Sequence, residues 1–230
     1  MSADRDAWLV GLQGPGAELA RAELLAHPDW LSGPPPAWFL DTLIVAYLDA
    51  LAPPLDIARA WARPAMAQAL LDRLAREHDG DGQEALAWLL SQMPWAPLTR
   101  DLVDLVARPE RATIVRRWLA TALDRLAFAG EIGWPEVADA VDALVNAGET
   151  SLRQAAAGLC GSLPHEAAAH ETLLILLDDV DPTVVESALH MLLLQDARLD
   201  TPRIQQLANH SNRGIAERAT RLLNPPLPKA

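Results

Sequence analysis

The chain has 230 residues and a formal net charge of −12, and 50% of its residues are apolar, enough for a sizeable core and too many for disorder. Its single cysteine excludes a disulfide framework and a thiolate zinc site. The acidic balance repels nucleic acid and anionic membrane at long range, although it leaves room for a local basic patch.

The N-terminus, MSADRDAWLVGLQ, lacks the apolar core of a signal peptide. The longest strongly apolar run, WFLDTLIVAYLDALA, is broken by Asp41 and Asp49 and is too short and too charged to span a membrane. A cytoplasmic protein without a membrane partner is expected. GLQGPG, at 11–16, follows no strand and so lacks the context of a dinucleotide loop.

Beta signals are almost absent, with one Tyr and two Phe, while Ala, Leu, Arg and Glu favour helix. In the first 62 residues the pattern predicts two or three helices, among them 17–26 and 38–50, with proline-rich turns at 33–36 and at Pro53-Pro54. Helices near 64–77 and 83–92 follow. DGDGQE between them reads as a turn with an N-cap. A calcium loop starting at Asp79 would need Glu at its twelfth position, and that position is Leu90.

The next helices are expected near 98–107 and 115–123. The stretch RPERATIVRRWL, which leads into the second, carries the one basic cluster, Arg108, Arg111, Arg116 and Arg117, beside Trp118 and close to Asp124. All eight tryptophans lie between Trp8 and Trp134. Core packing is expected for Trp38, Trp61, Trp88 and Trp118. The alternative is an aromatic binding groove in the N-terminal half.

From residue 135 onward the chain repeats. SLRQAAAGL at 151–159, TVVESALHM at 183–191 and GIAERATRL at 214–222 align. Leu152, Val184 and Ile215 share one position, Ala156, Ala188 and Ala219 a second, and Leu159, Met191 and Leu222 a third. The spacings are 32 and 31 residues, and within each segment the positions fall on one helix face. Alanine at the middle position predicts close approach of a neighbouring helix. Preceding helices are expected at 135–147, 167–177 and 202–208. Asp181 before Pro182 is a good N-cap, and Asn212 and Thr150 occupy equivalent positions.

Two other features invite chemistry and lack its geometry. In HEAAAHE, His165 and His170 are five apart, about 140° around a helix, so they cannot grip one metal ion from one face. Cys160 lies in an Ala-rich helix and reads as a small buried filler. No catalytic, cofactor or metal residues are assigned. The tail NPPLPKA cannot continue a helix and is expected to be extended from residue 225 to 230.

The stretch LLDDVDPTVVESALHML resembles the HEAT-repeat pattern: an apolar first helix, an acidic turn, Asp-Pro, a Val-Val or Val-Arg pair, then Ala and Leu. The resemblance is clearest over 135–223. It implies an all-α, right-handed α-α solenoid of about five helix pairs, at 64–93, 97–129, 133–163, 165–195 and 200–224. Residues 1–62 then form an N-terminal helical cap and 63–224 the repeats.

Stacking such repeats aligns polar positions beside the apolar face: Gln154, Glu186 and Glu217 in one column, Gly158, His190 and Arg221 in another. Such columns form either a plain solvated face or a recognition surface; on the second reading Glu186, His190, Glu217 and Arg221 are the expected partner-binding residues of a non-catalytic module that takes a protein or peptide. The alternative that the resemblance raises is a nucleic-acid-binding solenoid of the alkylpurine DNA glycosylase kind, using the arginine cluster, Trp118 and Asp124. The net charge opposes it.

The register makes Ala188 a close-packing position. Ala188→Glu is expected to cost several kcal/mol, on the order of other buried uncompensated charges. A melting temperature unchanged from the parent would show the register to be wrong.

Overall fold

The computed structural model describes residues 2–195, 199 and 201–224. Every regular element among them is a helix, fourteen α-helices in all, and none is long and apolar enough to cross a membrane. The chain divides into two compact units, Met1–Leu98 and Thr99–Ala230, whereas the sequence places a boundary at residue 62.

The first unit contains α1 (Ser2–Gly11), α2 (Ala17–Ala26), α3 (Ala37–Leu48), α4 (Ala52–Ala60), α5 (Arg63–Arg76) and α6 (Gly80–Gln92). Helices α1 and α4 are additional to those expected. Pro53-Pro54, read as a turn, lies in the first turn of α4, where a missing N–H breaks no helical hydrogen bond. Asp79 does cap α6, accepting from the Gly82 N–H.

Trp61 is the anchor of this unit. It is buried, stacks on Phe39 at 5.4 Å and donates its indole N–H to the Gly33 carbonyl at 2.6 Å. Helix α6 packs on α3 and α5, and Tyr47 donates to Glu84 at 2.9 Å between α3 and α6. Helix α3 ends in a Schellman motif: Ala50 donates to Tyr47 and Leu51 to Ala46. The motif holds Ala50 at φ 55°, where a Cβ costs about 1–2 kcal/mol. Gly130 fills the same role after α8 without that cost.

The second unit runs through α7 (Thr99–Val106), α8 (Thr113–Phe128), α9 (Trp134–Val145), α10 (Thr150–Gly161), α11 (Ala167–Leu176), α12 (Pro182–Leu194), α13 (Pro202–Leu207) and α14 (Arg213–Leu223). Helix α8 packs on α10, α10 on α12, and α12 on α14, and each also packs on the helix before it. The aligned core positions Leu152, Ala156, Leu159, Val184, Ala188, Ile215, Ala219 and Leu222 are all fully buried.

Met191 departs from the register. It is half-buried, and Leu192 is buried instead. Gly161 accommodates Met191: a Cβ there would collide with the Met191 side chain, so the glycine leaves room for it to lie over α10. A second correction concerns the caps. Asp181 and Asn212 cap α12 and α14 as expected. Thr150 does not cap α10. It is the first helical residue, and its hydroxyl donates to the Asp181 carboxylate at 2.8 Å, tying one turn to the next.

Arg153 makes the strongest tie. It donates to both oxygens of Asp179, at 2.6 and 3.1 Å, and to the carbonyls of Ala147 and Gly148, at 3.0 and 2.9 Å. Burial acts to raise the Asp179 pKa, but Arg153 and the Asp181 N–H overcome it and hold the carboxyl below its ordinary value. Arg116 makes the corresponding tie from α8, to the carbonyls of Val106 and Ala143, at 2.8 and 3.3 Å. Residues 225–230, expected to form an extended tail, lie outside the described residues.

Arg153→Ala leaves Asp179 poorly partnered and three hydrogen-bond acceptors unsatisfied. The expected loss is about 3 kcal/mol at neutral pH, on the scale for a mostly buried charge pair. Because the Asp179 pKa is depressed by folding, this stabilisation is present above the carboxyl's unfolded value and is lost as pH falls through the folded one. Thermal melts across pH should show the gap between parent and variant narrowing in acid.

Candidate functional site

The four expected partner-binding residues lie on α12 and α14. His190, Glu217 and Arg221 come together around a groove of about 600 Å³, completed by Leu193, Ala216, Arg218 and Thr220. All three are exposed. Arg221 makes no hydrogen bond or close ion pair among the described residues.

The two glutamates are already partnered. Glu186 accepts from Arg218 across the α12–α14 interface, and Glu217 accepts from Arg213 one turn before it at 2.6 Å. The hydrogen bond from Arg213, and then its charge, hold Glu217 below its ordinary pKa. Glu186 does not line the groove. A charge reversal at Glu186 would therefore set it against Arg218 and weaken the helix pair. Free recognition chemistry on this face belongs to His190 and Arg221.

A second groove, of about 280 Å³, lies between α8 and α10 and is lined by Arg117, Ala120, Thr121, Asp124, Ser151, Gln154, Ala155 and Gly158. It brings together two further residues of the aligned columns, Gln154 and Gly158. Gln154 also donates to the Thr183 carbonyl at 3.4 Å. Asp124 accepts from the Ser162 hydroxyl at 2.6 Å. Burial pushes its carboxyl above the ordinary value, against the opposing effects of Ser162 and Arg125. The sequence marked Asp124 only through its proximity to the arginine cluster.

That cluster does not act as one surface. Arg116 is buried and committed to the carbonyls of Val106 and Ala143, so it is unavailable to a phosphate. Arg117 is exposed and sits 5.3 Å from the ring of its neighbour Trp118. Of the four tryptophans expected in the core, Trp61 is buried, while Trp88 and Trp118 are half-buried. Trp38 is exposed, a correction: it starts an outward stripe on α3 that continues through Val45 and Leu48.

Cys160 is buried, and desolvation pushes its thiol up to about 12, which leaves it without nucleophilic character. His165 is exposed ahead of α11, and His170 lies on α11 against Gln195. No group of three potential metal ligands occurs among the described residues. No protein-family model, curated protein or solved structure matches this chain.

A carboxyl raised by desolvation weakens the fold in its ionised form. The folded pKa of Asp124 exceeds the unfolded one, so its penalty is absent in acid and grows as pH rises through the folded value. Asp124→Asn keeps an acceptor for Ser162 and removes the charge. It is expected to raise the melting temperature at neutral pH, and the gain should vanish well below the ordinary carboxylate range. A variant less stable at neutral pH would show the charge to be structural.

Proposed function

We propose that the second unit is a HEAT-like solenoid that binds a polypeptide on the face built by α8, α10, α12 and α14, as a non-catalytic adaptor or regulator. One observation carries the reading. Both grooves of this face are lined by residues of the repeated polar columns, Gln154 and Gly158 in one, Glu217, His190 and Arg221 in the other. The helices that bear them pack on one another in chain order, as stacked repeats do.

The chemistry of the face suits a polypeptide. Acidic, basic and amide side chains alternate along it, which matches a mixed-charge chain and opposes a polyanion. The buried core beneath each helix fixes the backbone that bears these side chains, so no backbone ordering is required when a partner docks. The DNA-glycosylase-like alternative loses Arg116, since the carbonyls of Val106 and Ala143 occupy its guanidinium.

The test is capture of partners from the native host by the full chain and two variants. Arg221→Glu reverses the unpaired cation of the larger groove. Ile175→Ser alters an exposed residue of α11, outside both grooves. A polypeptide held by the parent and by Ile175→Ser but lost by Arg221→Glu, with all three melting alike, is the expected result. Capture indifferent to Arg221, or steeply salt-dependent retention of duplex DNA by the parent, would overturn the reading.

A further inference from the structure

Glycine weakens a helix interior relative to alanine, so a glycine within α10 calls for a reason. Gly161 has one in this chain, because Met191 occupies the space of its missing Cβ. Gly158 has none. A Cβ built there meets nothing within 4 Å. What the absent side chain leaves open is part of the groove between α8 and α10.

Two charged side chains line the same groove without an ion-pair partner. Asp124 is half-buried, and the Ser162 hydroxyl is its one hydrogen-bond partner among the described residues. Arg117 makes no side-chain hydrogen bond among the described residues, and its guanidinium lies 5.3 Å from the ring of Trp118. The two lie seven positions apart on α8, hence on one face and about 10 Å apart along the helix axis. A polyproline II peptide rises about 3.1 Å per residue with three residues per turn, so side chains three positions apart share a face and span about that distance.

We propose that this groove is a specificity pocket for a basic side chain of the partner. The cation sits against Asp124, its methylene stem crosses Gly158, and an acidic side chain three positions away on the same face of a polyproline II segment meets Arg117. The chemistry is complementary at both ends, and the glycine supplies the room between them. This rests on the polypeptide-binding reading above and adds to it the class of sequence recognised.

The probe is a pair of blocked six-residue peptides, Gly-Arg-Ala-Ala-Glu-Gly and its reversed order, with a control that places Arg and Glu side by side. Each is titrated to millimolar concentration into the isotope-labelled full chain, and the amide shifts of Gly158 and Thr121 are followed. One of the two spaced peptides is expected to shift both amides saturably, and the control to bind about fivefold more weakly or worse, as loss of one charge-assisted contact implies. Asp124→Asn, which keeps the Ser162 acceptor, and Gly158→Met, which fills the groove without a clash at Cβ, should each abolish the effect while the protein stays folded.

Shifts absent at Gly158 for both spaced peptides, or unchanged affinity in Asp124→Asn, would overturn the pocket. If a captured native partner still depends on Arg221 in that case, only the pocket fails. If that dependence is also absent, the polypeptide-binding reading fails with it.

Discussion

The close approach of α10 to α12 is the constraint on which the second unit depends. It requires small residues where the helices meet. Ala156 and Ala157 on α10 and Ala188 on α12 are fully buried, and Gly161 yields its side-chain space to Met191. A larger residue at any of these points would have to displace a neighbouring helix, because a close-packed interior has no free volume to absorb it. The turns are then lashed together by side chains that reach from one helix pair to the next. Arg153 to Asp179, Thr150 to Asp181 and Arg116 to the Ala143 carbonyl all have this form.

This arrangement determines what is left for function. Helices whose flanks are buried against neighbours expose their remaining face, and the polar columns fall there. Part of their charge is used internally. Glu186 joins α12 to α14 through Arg218, and Glu217 is held by Arg213. The residues left over are Arg221 and His190 in one groove, and Arg117 and Asp124 in the other. Asp124 stands apart because its site disfavours its charge.

The helical class, the buried alanines and the caps at Asp181 and Asn212 were legible because each is a local signal: period, residue size, or a side-chain acceptor two residues from its backbone donor. What was not legible depends on partners distant in sequence. The Glu186–Arg218 pair spans 32 residues and Ser162–Asp124 spans 38. Thr150 matches the other caps in alignment, yet Asp181 draws its hydroxyl away. The start of α4 was hidden because a proline pair reads equally as a turn or as a first helical turn. Val115-Arg116 could have been found, since it repeats the Leu152-Arg153 pair and makes the same kind of tie.

In the proposed solenoid each helix pair is stabilised by its immediate neighbours, and the recognition face inherits its rigidity from that stacking. Helix α14 packs on α12 and α13, so the last pair should be separable from the rest. The direct measurement is a thermal melt, followed by circular dichroism, of a chain ending at Gln195. Nearest-neighbour stacking predicts a helical protein that still unfolds cooperatively, at a lower temperature than the full chain. Loss of the cooperative transition would mean that the unit is a single globular bundle, and that its polar face is not built from independent repeats.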